Sequence, residues 1–466
     1  MGANILDVFP QDQVLTPESG TAYDEAIRRW ADNAQRPAKY VVLPKSPAEV
    51  AKAIRFAVAN GLELAIRGGG HSCSGASSSE DLVIDLRHFA GVSVDAERRL
   101  LTVGGGAIWE TVDREAAKFG LATVGGTVNH TGVGGLTLGG GYGWLTGDHG
   151  LALDNVVQAE VVIASGEVLT CSKTENADLF WAIRGGGSNF GVVTSFVFKA
   201  YPQINTVWSG LTVFAPEKLP AIIRAAQKLS QQLPKGRSSA IIFSCPPPAH
   251  TPAVAFIPFF NGPQAEGRAL FKPVLDLGPL ADMTKELRYE EQNGMFNEVA
   301  THGERKLMKS AYLGVQIDEG ILTNLWREWV ALLEAYPDLK PSIVVLDLHP
   351  FQKLMEVPFE ATAFAGRGPL YNLTMMMRWT DPELDVMVRQ WASERAQEIR
   401  AAESARAGTD TRGYANCGMG NESARTDIFG ANYERLTAVK AKYDPQMVFR
   451  KWFPITPKEH MGNGLA

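Results

Sequence analysis

The stretch from Ile66 to Gly75, IRGGGHSCSG, constrains this chain more than any other part of the sequence. The preceding run, Leu62–Ile66, reads as a strand that leads into three glycines. Glycine has no Cβ, so backbone N–H groups in such a turn can come close to a ligand. An anion-binding loop needs only the glycines, and His71 at the tip indicates that something is attached or coordinated there. The other interpretation is a tight strand-to-turn corner with a surface histidine.

Two further glycine-rich stretches favour the ligand interpretation. They cover residues 125–143 and 181–193, and glycine makes up 46 of the 466 residues. Clustered glycine is typical of loops that hold a ligand rather than of flexible linkers. Neither G-x-G-x-x-G nor G-x-x-x-x-G-K-[ST] occurs, so a Rossmann fold or a P-loop has little support.

Charge and hydropathy argue against two classes of partner. The net charge is −6, and the sequence has no basic run of the kind that binds nucleic acid. It also has no run of about eighteen apolar residues, and the N-terminal MGANILDVFPQDQ has neither a basic nor an apolar segment. We therefore expect a cytoplasmic protein that binds neither nucleic acid nor a membrane.

Cysteine and histidine spacing argues against a metal site. The four cysteines show no C-x-x-C spacing, which favours reduced thiols over a disulfide framework or a zinc site. No second histidine or carboxylate lies at metal-ligand spacing from His71, so we expect no metal.

Four motifs carry a resemblance to a known family. They are RGGGHS at 67–72, GVGGLTLGGGYGWL at 132–145, DLFWAIRGGGSNFGVVT at 178–194, and Tyr414-x-Asn416. Together they resemble the berberine-bridge-enzyme-like (BBE-like) FAD-linked oxidases, which belong to the vanillyl-alcohol-oxidase superfamily with its PCMH-type FAD-binding domain. The resemblance spans nearly the whole chain.

The resemblance implies an α+β fold with two domains. A PCMH-type FAD-binding domain made of two subdomains is expected over residues 1–204, with its core at about 36–204. A substrate-binding domain, built as a large antiparallel sheet backed by helices, is expected over residues 205–411. Residues 412–466 are expected to return to the FAD-binding domain.

Local patterns add expectations of their own. A Pro at the first position and a glycine past the end predict a helix over Pro47–Asn60. Thr206–Val213 reads as one strand. Ala253–Phe260 reads as another, which Pro258 should confine to a sheet edge or a bulge.

The resemblance also implies the cofactor and its attachment. The histidine of the GGHS motif, here His71, is expected to be bonded through a ring nitrogen to the 8-methyl carbon of FAD. Many relatives add a second bond from a cysteine, but the matching residue is Val128, which has no nucleophile, so one bond is expected. The expected cofactor contacts are Arg67, Gly68, Gly69, Gly70, His71, Ser72, Gly75, Val128, Thr131, Gly134, Gly135, Gly139, Gly140, Gly141, Tyr142, Gly191, Val193, Tyr414 and Asn416.

Four residues are expected at the reacting centre: Tyr414, Tyr142, Thr131 and His130. In relatives the tyrosine of Tyr-x-Asn points at the reacting carbon and acts as a base, which requires a lowered pKa. Arg412 and His130 are the candidates for lowering it. Thr131 should flank the side of the flavin where oxygen approaches, or else only bond its own backbone. Tyr142 should either face the active site or pack on the cofactor.

One departure from the family bears on the chemistry. Some relatives carry Glu or Gln on the strand that matches Leu370–Trp379 and use it as a base or anchor. Thr374 occupies that position and cannot act as a base, so bridge-forming chemistry is not expected. Alternation should place Asn372, Met376 and Arg378 on the same face as Thr374. The opposite face, expected to pack against helices, carries Tyr371, Met375, Met377 and Trp379.

The resemblance implies an oxidase with covalent FAD. A small, fairly apolar alcohol, amine or secondary-metabolite intermediate would pass a hydride to the flavin, and O2 would then take the electrons and form H2O2. One alternative is a dehydrogenase that uses a quinone or a protein as acceptor. The other is a flavin-binding protein without turnover.

Overall fold

The first half of the chain folds into two small sheets. The computed structural model describes residues 4–231, 236–407 and 412–458. The strands before residue 203 are β1 (Val14–Leu15), β2 (Tyr40–Val42), β3 (Leu64–Arg67), β4 (Leu82–Asp85), β5 (Val92–Asp95), β6 (Leu100–Gly104), β7 (Leu121–Ala122), β8 (Val156–Val162), β9 (Val168–Ser172), β10 (Val192–Lys199) and β11 (Tyr201–Pro202). One sheet has the order β1-β2-β4-β3, with β2 and β3 parallel to β4. The other, β5-β6-β10-β8-β9, is antiparallel, and β7 pairs with β11.

Helices pack around all of the sheets. They are α1 (Thr21–Ile27), α2 (Pro47–Ala59), α3 (Trp109–Ala117), α4 (Val133–Leu138), α5 (Thr146–His149), α6 (Ala177–Ile183), α7 (Leu219–Gln231), α8 (Gln264–Leu270), α9 (Lys272–Leu275), α10 (Tyr289–Gln292), α11 (Glu319–Ala335), α12 (Gln352–Met355), α13 (Asp385–Ala407) and α14 (Tyr433–Tyr443). The predicted helix is α2, which begins where the Ser46 hydroxyl accepts the Glu49 N–H. α2 delivers the chain to β3, and β3 ends at the first glycine-rich loop.

A nine-stranded antiparallel sheet follows. Its strands are β12 (Val207–Ser209), β13 (Thr212–Phe214), β14 (Arg237–Ser244), β15 (Ala253–Phe260), β16 (Ala281–Asp282), β17 (Lys285–Leu287), β18 (Arg305–Gly314), β19 (Ile343–Leu348) and β20 (Leu370–Trp379). The main order is β16-β13-β15-β14-β19-β20-β18, and β12 joins β15 to β17. The expected α+β fold with a large antiparallel sheet is therefore confirmed.

The two faces of this sheet have different partners. One face forms a core with α7, α11 and α13, and that core includes Tyr371, Met375, Met377 and Trp379 as predicted. The other face turns toward the first half of the chain, where Ile257 and Phe259 pack against Val124 and Trp144. The end of the sheet formed by β18, β19 and β20 presents polar side chains on this second face.

Two local expectations are wrong. The strand expected over Thr206–Val213 is broken into β12 and β13 at Gly210, whose φ is +147° and whose Cβ would lie 2.5 Å from the Met283 carbonyl oxygen. Pro258 lies in an interior strand and not at an edge, because β15 pairs with β14 on one side and with β12 and β13 on the other. On the side of β12 and β13, the strand pairing is interrupted between Ser209 and Thr212, opposite Pro258.

The C-terminal segment packs back on the first half of the chain. Phe429, Leu436 and Ile455 lie in one core with Trp181 and Phe196. The boundaries near residues 205 and 412 stay predictions, and the second adjoins residues 408–411, outside the described ranges. Within those ranges no helix is both long and apolar enough to cross a membrane.

Candidate active site

His71 lies at the tip of the loop that follows β3, among aromatic and basic groups. Its ring stacks on Trp30 with the ring centres 4.3 Å apart and the planes 14° apart. Its Nε2 lies 3.2 Å from Nδ1 of His130. His71 is deep inside the molecule, yet part of its surface stays accessible to solvent. Burial first, and then His130, His302 and Lys306, lower the pKa of His71 well below its usual value, which keeps the ring neutral.

The loop around His71 offers backbone N–H groups to a ligand. Among the described residues, the N–H groups of Gly69, Gly70, His71 and Ser72 have no hydrogen-bond acceptor. A Cβ on Gly69 would lie 2.4 Å from the Gly132 nitrogen, so the first two glycine-rich stretches can touch only because both positions are glycine.

Arginines stand directly behind this loop. A Cβ on Gly70 would lie 3.4 Å from Nε of Arg67 and 3.5 Å from Cδ of Arg29. Arg67 and Arg87 share one carboxylate, Asp85, each at 2.7 Å. Burial and the charge of Arg67 lower the pKa of Arg29 to about 9, so Arg29 stays charged at neutral pH. Three guanidinium groups against one carboxylate leave a positive field, which favours an anion.

Tyr414 is held by two donors. The Gly141 N–H and the Asn416 side-chain amide each donate to its hydroxyl oxygen at 2.8 Å. The pKa of Tyr414 is nevertheless raised above its usual value, chiefly by burial and then by the Cys417 thiol, while the two donors oppose the rise. Tyr414 therefore keeps its proton at neutral pH.

The two groups expected to lower the pKa of Tyr414 lie elsewhere, and that expectation is wrong. Nε of Arg412 donates to the Thr426 carbonyl at 3.1 Å. His130 contacts His71 and His302, with 5.0 Å between ring centres in both pairs.

Aromatic rings form one wall next to Tyr414. Tyr142 meets Tyr414 edge-on with the ring centres 4.9 Å apart, and its hydroxyl lies 3.3 Å from that of Tyr312. Phe364 meets both Tyr142 and Tyr414 edge-on. Burial raises the pKa of Tyr142, so it too stays protonated. Tyr142 thus packs within an aromatic cluster, and its hydroxyl is paired with another tyrosine.

The glycines of the GGGYG motif make room for this wall. A Cβ on Gly139 would lie 2.0 Å from Oδ1 of Asn416, and one on Gly140 would lie 2.9 Å from the Tyr414 ring. Gly140 has a φ of +137°, which favours glycine independently. These glycines therefore let the GGGYG loop lie directly against Tyr414 and Asn416.

The polar face of the large sheet supplies a residue that the sequence interpretation missed, Asp347 of β19. Nδ2 of Asn372 donates to Asp347 at 3.2 Å and to the Thr374 hydroxyl at 3.0 Å. Burial raises the pKa of Asp347 to about 6. Its charge raises the pKa of Tyr142 and of Cys417, and the Cys417 thiol is itself hydrogen-bonded to Thr374, so Asp347 lies near the aromatic wall. A lone acidic residue within an otherwise apolar strand, IVVLDL, is the signal that could have found it.

The remaining expected residues lie along the same loops. Ser72 pairs with Ser74 through their hydroxyls at 3.0 Å. The Thr131 N–H donates to the Val128 carbonyl at 3.1 Å, and its own carbonyl accepts the Trp109 N–H at 3.1 Å. Four of the other glycines and Val193 pack against neighbouring strands and loops: Gly68, Gly75, Gly134, Gly191 and Val193. Gly135 is exposed. A Cβ on Gly135 would meet nothing within 4 Å.

These residues fit FAD. The free N–H groups at Gly69–Ser72 and the arginines behind them suit its diphosphate. His71, partly accessible, offers a neutral ring nitrogen with which a covalent bond could form. Among the described residues no group of three or more histidine, cysteine or acidic side chains could hold a metal ion.

Family comparisons agree with this fit. Residues 38–172 match the FAD binding domain family, and residues 413–455 match the berberine and berberine-like family. Fold, site and these matches together define an enzyme, an FAD-linked oxidoreductase.

Similar individual proteins show which family of FAD-linked oxidoreductases the chain belongs to. The FAD-linked oxidoreductase pgmH of Aspergillus terreus is 36% identical over 93% of this chain and 91% of its own length. The structure of 6-hydroxy-D-nicotine oxidase from Arthrobacter nicotinovorans superposes with a TM-score of 0.82 at 26% identity, covering 97% of this chain and 99% of that one. Glucooligosaccharide oxidase from Acremonium strictum, described with a 6-S-cysteinyl, 8α-N1-histidyl FAD, shares the fold with a TM-score of 0.81 at 22% identity, covering 94% and 96%. The chain belongs to the BBE-like family of PCMH-type FAD-linked oxidases.

Proposed function

We propose that the protein is an oxidase whose FAD is attached covalently to His71 and to no other residue. The observation that carries the proposal is the position of His71, a neutral histidine within a loop of free N–H groups backed by arginines. A histidyl-FAD in glucooligosaccharide oxidase supports it by analogy. Val128 stands where the cysteine of a second bond would be, and no thiol replaces it in the sequence nearby.

Geometry favours one ring nitrogen of His71 for the bond. Nε2 is occupied by its 3.2 Å contact with His130, so Nδ1 is the nitrogen proposed to carry the flavin. A bond at this position would also hold the ring against Trp30.

When bound, FAD supplies the acceptor for a hydride from the substrate and passes the electrons on to O2. Asp347 is the proposed proton acceptor for a substrate O–H or N–H, because its pKa of about 6 leaves it ionised at neutral pH. Tyr414, the acceptor expected from the sequence, is the second candidate; its two donors would stabilise a phenolate, although burial raises its pKa. Asn372 orients the Asp347 carboxylate.

The lining of the site suggests the substrate class. Tyr142 and Phe364 offer apolar ring surface backed by the fully buried Tyr312, and Asp347 offers one charged acceptor next to it. We propose a small molecule with an apolar ring and a hydroxyl or amine group beside it. The relative named for 6-hydroxy-D-nicotine supports a nitrogenous ring substrate, while the relatives named for oligosaccharides support the alcohol alternative.

An anaerobic screen tests this function. Small aromatic amines and alcohols, with oligosaccharides as the contrasting set, are mixed with the enzyme while the flavin spectrum is followed. Bleaching by the aromatic set, followed by rapid recovery and peroxide release on admission of air, is expected. Bleaching with slow recovery in air would indicate a dehydrogenase, and no bleaching by any compound would indicate a flavin-binding protein without turnover.

A further inference from the structure

Three histidine rings form a chain from the interior to the surface. His71 is deep in the molecule, His130 is half-buried, and His302, in the loop before β18, is exposed. Neighbouring ring centres are 5.0 Å apart at both steps, and Nε2 of His71 lies 3.2 Å from Nδ1 of His130. The first step is within hydrogen-bond distance, and the second places the exposed His302 ring against His130.

The surroundings of the row keep its inner members neutral. Lys306, which donates to the Trp30 carbonyl at 3.0 Å and lies over the Trp30 ring, faces all three histidines. Arg28 and Arg67 also face His302, and the acidic Glu110 acts on His130 in the opposite direction. Burial is the largest cause of the lowered pKa of each ring, so all three rings are neutral at neutral pH and each has one nitrogen without a proton.

A nucleophilic histidine must lose a proton when it forms a bond. A neutral imidazole carries a proton on one nitrogen and a lone pair on the other. If the lone pair of Nδ1 attacks, the proton on Nε2 becomes acidic and needs an acceptor. Among the residues that the structure describes, the group within hydrogen-bond distance of His71 Nε2 is His130.

We propose that His130 takes the Nε2 proton of His71 while Nδ1 of His71 bonds to the 8-methyl carbon of FAD, and that His302 passes this proton to water. The inference rests on the covalent attachment proposed above. The C–N bond forms as the methyl carbon loses one proton and His71 loses another. The two electrons left on the flavin go to O2, which gains two protons and leaves as H2O2. His130 is therefore a proton-accepting residue for flavin attachment.

Contacts of His130 suit this role. The Ala300 carbonyl faces its ring and favours the protonated form. The same carbonyl accepts the Trp30 indole N–H at 2.7 Å, so the loop before β18 holds both the ring that stacks on His71 and the ring that receives its proton.

The experiment measures the rate at which FAD becomes covalently attached to the protein. Wild type, His130→Gln, His130→Ala and His302→Gln are produced with limited flavin, incubated with FAD in air, and acid-precipitated at intervals to measure flavin fluorescence in the pellet. His130→Gln can still accept a hydrogen bond from His71 but cannot take its proton. His88→Gln, which alters an exposed histidine outside the row, is the control.

Both His130 variants are expected to bind FAD but to attach it on the order of a hundred-fold more slowly, because a positioned base contributes about that much or more. Added imidazole, or a higher pH, should speed attachment in His130→Ala and not in wild type. His302→Gln should show a smaller delay, and His88→Gln none.

Three results would overturn the proposal. One is wild-type attachment rates in His130→Gln. Another is slow attachment in His130→Ala that neither imidazole nor pH changes, which would make the role merely structural. The third is loss of FAD binding in both variants, which would make His130 part of the binding site. An absence of pellet flavin in wild type would instead remove the covalent link itself.

Discussion

Asp347 and Tyr414 divide the proposed acid–base chemistry between them. Asp347, with a pKa of about 6, is ionised at neutral pH, whereas burial holds the Tyr414 phenol in its protonated form. The two approach the same aromatic wall, Asp347 from the large sheet and Tyr414 from the C-terminal segment. Which of them accepts the substrate proton can be separated by substitution.

We expect Asp347→Asn to slow flavin reduction by about a hundred- to ten-thousand-fold. In wild type the reduction rate should rise with pH through about 6, as the carboxyl ionises, and then level off. The variant should lose that rise. Tyr414→Phe serves as the matched comparison and should slow flavin reduction less than Asp347→Asn does. A larger loss in Tyr414→Phe, together with a wild-type rate that rises toward pH 10, would identify Tyr414 as the base.

Thr131 is the residue predicted to control oxygen access. Its backbone is fixed by hydrogen bonds to Val128 and Trp109, so a larger side chain should fill space without moving the loop. Thr131→Leu should slow reoxidation of the reduced enzyme by air more than it slows reduction by substrate, as stopped-flow traces of the two half-reactions would show. Thr131→Ser is the control and should behave like wild type. If Thr131→Leu slows both half-reactions equally, Thr131 only shapes the loop and does not control oxygen access.

Residues of the site differed in how far they could be predicted. His71 and Tyr414 stand in local motifs, so their positions follow from the sequence. Asp347 and His302 reach the site only through the pairing of β19 and the loop before β18, which are contacts between distant parts of the chain. Burial, which sets the pKa of Tyr414, cannot be found from a motif either.

Among the larger elements, the regular strands were predictable and β18 was not. The alternation of β20 predicted which side chains enter the helix-backed core. β18, RKLMKSAYLG, buries Lys306 on its other face, where the amine bonds to backbone carbonyls. A buried lysine removes the apolar–polar alternation by which a strand is found.

Close contact between the first two glycine-rich loops gives a prediction about elements. Gly69→Ala would place a Cβ 2.4 Å from the Gly132 backbone, which cannot rotate away. We expect a lowered melting temperature and little covalent flavin in the pellet after acid precipitation. Gly91→Ala, where a Cβ meets nothing within 4 Å, is the control and should match wild type. Full flavin attachment in Gly69→Ala would show that the loops need not touch.

The two halves of the molecule meet through buried polar groups as well as through the apolar core. Nδ2 of Asn293, which follows α10, donates to the Asp113 carboxylate of α3 at 2.8 Å. The Asn129 N–H donates to the Asn293 carbonyl at 2.8 Å. Burial first, with Glu290 and Glu110 nearby, raises the pKa of Asp113 to about 7. The contact between the halves is therefore sensitive to pH.

Stability should fall as this acid ionises. An unfolded aspartate titrates near pH 4, so between about pH 4 and 7 the folded state binds a proton that the unfolded state has lost. The unfolded state therefore binds fewer protons in this window, and the free energy of unfolding decreases as pH rises, by up to about 4 kcal/mol over the whole window. Asp113→Asn should melt higher than wild type at pH 8 and like wild type at pH 4. Melting curves with parallel pH dependence in both proteins would contradict this.

For the molecule as a whole, the central claim is one covalent bond between FAD and His71. Mass spectrometry of proteolytic peptides from the acid-precipitated protein tests it directly. The expected result is FAD on the peptide that contains His71 and on no cysteine peptide, with the colour passing to the supernatant in His71→Ala. Flavin released from the wild-type protein by acid, or a flavin thioether on any peptide, would contradict it.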